Sequence, residues 1–88
     1  MRILLADEAK SDLDHIPQKL RGQLLKKISY LSDFPFMGAK MEDAFKGFRC
    51  LLGGQGRYRV IYKAREKEII IYYIRHVSRQ LGLRIVKS

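Results

Sequence analysis

The chain has one cysteine, Cys50, only two prolines and no tryptophan. A lone cysteine excludes an internal disulfide and any zinc site built on cysteine pairs. No apolar run approaches the roughly 20 residues that cross a bilayer. Met1–Leu5 is too short for the apolar core of a signal peptide, and Asp7 and Glu8 follow at once. The expectation is a cytoplasmic protein with no membrane association. His15 and His76 stand far apart and have no cysteine motif beside them, so no metal site is expected. Gly53-Gly54-Gln55-Gly56 lacks the Lys-Ser/Thr pair of a phosphate-binding loop, and no other cofactor signature is present.

Acidic residues are scarce where basic ones are dense. The 88 residues carry a net charge of +9, with 18 Lys+Arg against 9 Asp+Glu. Residues 1–44 hold seven of each sign and are neutral, so the whole excess falls on residues 45–88, where Glu66 and Glu68 face eleven basic side chains. Charge so unevenly placed points to a polyanionic partner, most simply nucleic acid. Length and a 47% hydrophobic content describe one small domain spanning 1–88.

Periodicity divides the chain into an N-terminal strand, two helices and three strands. Arg2–Ala6 is a short apolar strand. Asp7 is placed to cap a helix over Glu8–His15, with Ala9, Leu13 and Ile16 on one stripe. Pro17 opens a second helix, in which Leu20, Leu24, Ile28 and Leu31 recur at helical spacing to about Ser32. Two amphipathic helices with a tight connection form an αα-hairpin that needs a sheet to cover. Phe36–Ala44 reads as a loop. Strands follow at about Phe45–Leu52, Arg57–Ala64 and Glu68–Arg75, joined by the glycine-rich turn and by Arg65-Glu66-Lys67. The unbroken run Ile69–Ile74 reads as a central strand covered on both faces. Short connections favour an antiparallel meander, giving an α+β domain of order β-α-α-β-β-β.

The arginines carry the functional signal. Alternation puts Arg49 and Leu51 on one face of their strand, and Arg59 and Ile61 on one face of the next. Where those faces coincide, Arg49, Arg59 and the segment leaving Arg75 converge on one concavity, and clustered guanidinium groups call for an anion. Lys46, Arg57, Tyr58 and Arg75 are the candidate RNA contacts. Tyr58, beside the turn and next to Arg59, is the ring best placed to stack on a base. Cys50 reads as a small buried hydrophobe.

The segment Gly56-Arg57-Tyr58-Arg59-Val60-Ile61-Tyr62 resembles the YRVIY strand of the RelE/ParE toxin superfamily. So do the glycine-rich hairpin before it, the isoleucine-rich strand, Ile74-Arg75-His76-Val77-Ser78-Arg79, and the opening strand leading into Ala9-Lys10-Ser11-Asp12-Leu13. The resemblance covers nearly the whole chain and implies the toxin of a toxin–antitoxin module, with a small acidic antitoxin as partner. Its RelE-like branch cuts mRNA on the ribosome; its ParE-like branch inhibits DNA gyrase without cleaving anything. The short helical hairpin and the basic C-terminal half suit the RelE-like branch, a metal-independent endoribonuclease. A basic RNA-binding module without toxicity is a further alternative. RelE-like cleavage, as the resemblance implies, activates a 2′-OH against the neighbouring phosphate. Arg59 would hold that phosphate and Arg79 would stabilise the transition state. Arg49 lies near the first of the family's paired strand lysines, whereas the second falls on Leu51. No tyrosine follows Tyr73, Ile85 falls near the family's C-terminal tyrosine, and His76 is the substitute for proton transfer.

Overall fold

A computed structural model describes residues 1–79; Ile85 and the end of the expected 1–88 domain lie outside the described residues. Strand β1 (Arg2–Leu5) leads into helices α1 (Asp7–Asp14) and α2 (Gln18–Ser29) and a 3₁₀ turn at Tyr30–Ser32. Strand β2 (Ala39–Lys40), a second 3₁₀ turn at Asp43–Phe45, and strands β3 (Arg49–Gly53), β4 (Tyr58–Ala64) and β5 (Glu68–His76) complete the order. The α+β class and the β3-β4-β5 antiparallel meander agree with the sequence expectation. Among the described residues the sheet has five strands in the order β1-β5-β4-β3-β2. It gains β1, which pairs parallel with β5, and the two-residue β2 inside the segment expected to be loop.

One face of the sheet is covered by the helices. Ala9 and Leu13 of α1, Ile16 of the connection, Leu24 and Ile28 of α2, and Leu31 meet Leu51, Val60, Tyr62, Ile69, Ile71 and Ile74 in a single core. The helical stripes read from spacing are therefore the buried ones. Asp7 is not a cap: it is the first helical residue, the N-cap position is Ala6, and no side chain caps it. Its carboxylate still suits the positive end of the helix, together with Glu8.

Among the described residues, no second layer of helices covers the opposite face. Tyr62 pairs with Ile71 while Ile61 pairs with Tyr73, so Tyr72 is an extra residue in β5. This bulge lets Ile71 and Ile74 both reach the core, and it turns Tyr72 and Tyr73 together onto the other face. There Tyr72 meets Phe48 edge-on at 5.3 Å and Tyr73 meets Phe45 at 6.5 Å. A small aromatic layer thus replaces the full cover expected for β5. Ile61, the cross-strand neighbour of Cys50 and Tyr73, is fully buried on this face.

Candidate functional site

Cross-strand register decides which arginines can cooperate. Arg49 pairs with Tyr62, and Leu52 pairs with Arg59. Tyr62 is in the helix-side core, so Arg49 is on the helix side and Arg59 is on the open face. The expected convergence of Arg49 with Arg59 does not occur: the alternation within each strand is as read, but the two faces are opposite. Arg49 donates to Gly38 O at 2.7 Å and to Phe36 O at 3.2 Å, and its guanidinium lies over the Phe36 ring. The same loop is held from below by Tyr62. Its buried hydroxyl donates to Pro35 O at 2.8 Å and accepts from Gly38 N at 2.9 Å. A Cβ on Gly38 would lie 2.8 Å from the Tyr62 ring, so only glycine fits there without displacement. Burial pushes the Tyr62 hydroxyl pKa up, against lowering by the Gly38 hydrogen bond and the Arg49 charge.

Arg75 is also committed. It pairs with Arg59 across the strands, yet its guanidinium reaches over the sheet edge to Asp12 and to Glu8, at 3.3 Å, and lies over the Tyr73 ring. The other Asp12 oxygen accepts from Ile74 N at 2.9 Å. Among the described residues, no strand pairs with this edge of β5 beyond Ile71. Asp12 supplies the missing acceptor and fixes α1 there.

Three of the expected site residues do come together. Tyr58, His76 and Arg79 line a polar cleft of about 380 Å³ at the end of the β4–β5 hairpin, facing α1. Its other walls are Ser11, Asp12, His15, Ile16 and Ile74. The Tyr58 and His76 rings meet edge-on at 5.2 Å. Ser78 N donates to His76 Nδ1 at 3.1 Å, and Ser78 Oγ lies 2.7 Å from the same nitrogen. The turn that carries Arg79 is closed by Arg79 N to His76 O at 3.0 Å, and by Val77 N to Arg57 O at 2.8 Å. From the open face, Arg59 donates to Arg79 O at 3.2 Å. Arg59 therefore touches this turn from outside and does not line the cleft.

The remaining candidates lie elsewhere. Arg57 is exposed beside the hairpin turn, where Gly54, Gln55 and Gly56 all have positive φ. Lys46 lines a separate groove of about 410 Å³ with Lys40, Met41, Glu42, Gly47, Phe48 and Arg49. His15 entered the cleft without a sequence signal. Only the packing of α1 along the free edge of β5 brings it near His76. Cys50, half-buried on the open face, has its thiol pKa pushed up by burial, partly offset by the Arg59 charge. Among the described residues no three side chains of metal-binding type cluster, and no helix is long and apolar enough to cross a membrane.

Residues 3–81 match the family model of the ParE toxin of the type II toxin–antitoxin system parDE. The chain belongs to this family. No curated protein sequence matches it. Among solved structures, the chromosomal ParDE system of P. aeruginosa is similar at 22% identity, a TM-score of 0.73, and coverage of 88% of this chain and 96% of that one. The intact E. coli RelBE toxin–antitoxin complex is similar at 15% identity and a TM-score of 0.74, covering 89% and 98%. The RelBE2 complex of Mycobacterium tuberculosis is similar at 19% identity and a TM-score of 0.73, covering 85% and 95%. The fold of this ParE-family chain is thus shared across ParE- and RelE-named toxins.

Proposed function

We propose that this toxin acts as a ribosome-dependent mRNA endonuclease, and that the cleft between α1 and the β4–β5 hairpin is where RNA is cut. The observation that carries this reading is the meeting of His76, Arg79 and Tyr58 in one polar cleft. Cleavage by a 2′-OH needs a proton carrier, a cation for the charge that develops on phosphorus, and a surface that holds the base. Imidazole, guanidinium and phenol supply these roles in that order, and none requires a metal. The net charge of +9, concentrated beyond residue 44, favours a polyanionic substrate. The same charge favours an acidic antitoxin as the neutralising partner, in keeping with the complexes in which similar toxins were solved.

A second reading, a gyrase inhibitor without nuclease activity, is favoured by the separation of Arg49 from Arg59 and by the pinning of Arg75 on Asp12. Fewer cations are free to grip a phosphate than a nuclease of three converging arginines would have. Purified toxin tested in parallel on programmed ribosomes and on gyrase supercoiling separates the two. The expected outcome is cut mRNA with supercoiling unimpaired. Blocked supercoiling with intact mRNA would replace the nuclease reading with the second.

A further inference from the structure

The cleft that holds His76 is also lined by His15, at the end of α1. The hydrogen bonds of the two imidazoles differ in kind. His15 Nδ1 lies 2.8 Å from Ser11 O. A carbonyl only accepts, so His15 Nδ1 carries the proton and Nε2 is left with a free lone pair. His76 Nδ1 faces Ser78 N at 3.1 Å, and a backbone N–H only donates. In its neutral form His76 therefore carries its proton on Nε2. When His76 is doubly protonated, Nδ1–H donates instead to Ser78 Oγ, 2.7 Å away, and Nε2–H remains.

From this arrangement we infer that His15 and His76 form an acid–base pair, with His15 as the base and His76 as the acid. The inference rests on the nuclease reading and assigns that cleft its second proton carrier. His15 Nε2 takes the proton of the ribose 2′-OH as the 2′-oxygen bonds to phosphorus. The bond from phosphorus to the 5′-oxygen breaks, and the His76 imidazolium gives that oxygen its Nε2 proton. The products are a 2′,3′-cyclic phosphate and a 5′-hydroxyl. His15 ends protonated and His76 neutral, and exchange with water restores both. Arg79, which lines the same cleft, faces the charge that builds on the non-bridging oxygens. The other ionisable groups lining the cleft are Asp12 from α1 and Tyr58 from β4. Asp12 is occupied by Ile74 N and Arg75, which leaves the two imidazoles as the proton carriers of the cleft.

Single-turnover cleavage of mRNA on programmed ribosomes tests this with the full chain, from roughly pH 5.5 to 8.5, where imidazoles titrate. Asparagine places a polar atom near the imidazole Nδ1 and lacks Nε2. His15→Asn therefore keeps a donor for Ser11 O, and His76→Asn keeps an acceptor for Ser78 N. The wild type should give a bell-shaped rate profile. His15→Asn should slow cleavage by about 10²–10⁴-fold and abolish the acidic limb. His76→Asn should abolish the basic limb. An RNA with sulfur in place of the 5′-bridging oxygen has a leaving group that needs no proton. It should rescue His76→Asn and leave His15→Asn slow. A His15→Asn protein that cuts within a few-fold of wild type with both limbs intact overturns the pair while the nuclease reading stands. Rescue of His15→Asn by the thio substrate overturns the assignment of roles. A wild type that leaves mRNA whole overturns the nuclease reading, and the pair with it.

Discussion

Arg49 and Arg59 lie on neighbouring antiparallel strands and carry the same charge, yet they belong to different parts of the molecule. Arg49 is on the helix side and is spent on backbone carbonyls: with the Tyr62 hydroxyl it ties the 35–38 loop to the sheet. Arg59 is on the open face and, among the described residues, donates to the carbonyl of Arg79. One end of the sheet thus uses arginine to close a loop. At the other end the β5 exit turn presents Arg79 to a polar cleft. Basic charge on a strand does not by itself mark a ligand site; the hydrogen-bond partners of the guanidinium decide.

The largest effect that can break this comparison is on turnover. Arg79 is exposed and its side chain has no ion-pair partner among the described residues, so Arg79→Ala should leave the melting temperature within a few degrees. Removing a cation aimed at a developing anion typically costs on the order of 10²–10³ in rate. Cleavage by Arg79→Ala, measured at saturating programmed ribosomes, should fall by that factor. A smaller loss is expected for Arg59→Ala, which removes only the outer support of the same turn. Equal losses would mean that Arg59 touches RNA directly.

Arg49→Ala should show the reverse behaviour. It leaves two loop carbonyls without their donor and frees the Phe36 ring, a loss of about 1–3 kcal/mol. For a domain of this size that is a fall of roughly 5–20 °C in melting temperature. Tyr62→Phe should cost a similar amount, because the buried Gly38 N–H then has no acceptor. Rate per folded molecule should be unchanged in both. An Arg49→Ala toxin that melts like wild type but fails to cut RNA would return Arg49 to the catalytic set.

The sequence could reveal the elements but not the faces they share. The stripe Leu20, Leu24, Ile28, Leu31 and the Tyr58, Val60, Tyr62 alternation announce which sides are apolar, and both point into the core. What relates β3 to β4 is the number of residues in the 54–57 connection, and a shift of one residue there exchanges every face. The bulge at Tyr72 has the same character. The run Ile69–Ile74 is apolar throughout, so no alternation marks the point where the register slips. Asp12 looks like an ordinary polar helix residue until its carboxylate is seen to accept from Ile74 N, where β1 has ended beside β5. His15 is invisible for the same reason, since its approach to His76 follows from where Asp12 docks.

Cys50 gives the finest probe of the comparison, because it follows Arg49 in sequence but faces the other way. Its cross-strand partner is Ile61, and the cation that acts on its thiol is Arg59. Burial raises the thiol pKa, and Arg59 pulls it part of the way back. The thiolate is the reactive form, so Cys50 should react with iodoacetamide at neutral pH more slowly than a free cysteine, with the midpoint of its rate–pH curve above the ordinary thiol range. Arg59→Met keeps the aliphatic stem that covers the site and deletes the charge. Loss of a cation disfavours the thiolate, so this substitution should move the midpoint further up and slow labelling at neutral pH again. Arg49→Met changes the neighbour in sequence but not the neighbour in space, and its midpoint should coincide with that of the wild type. A midpoint that rises as far in Arg49→Met as in Arg59→Met would put both guanidinium groups on one face of the sheet and dissolve the contrast between the two ends.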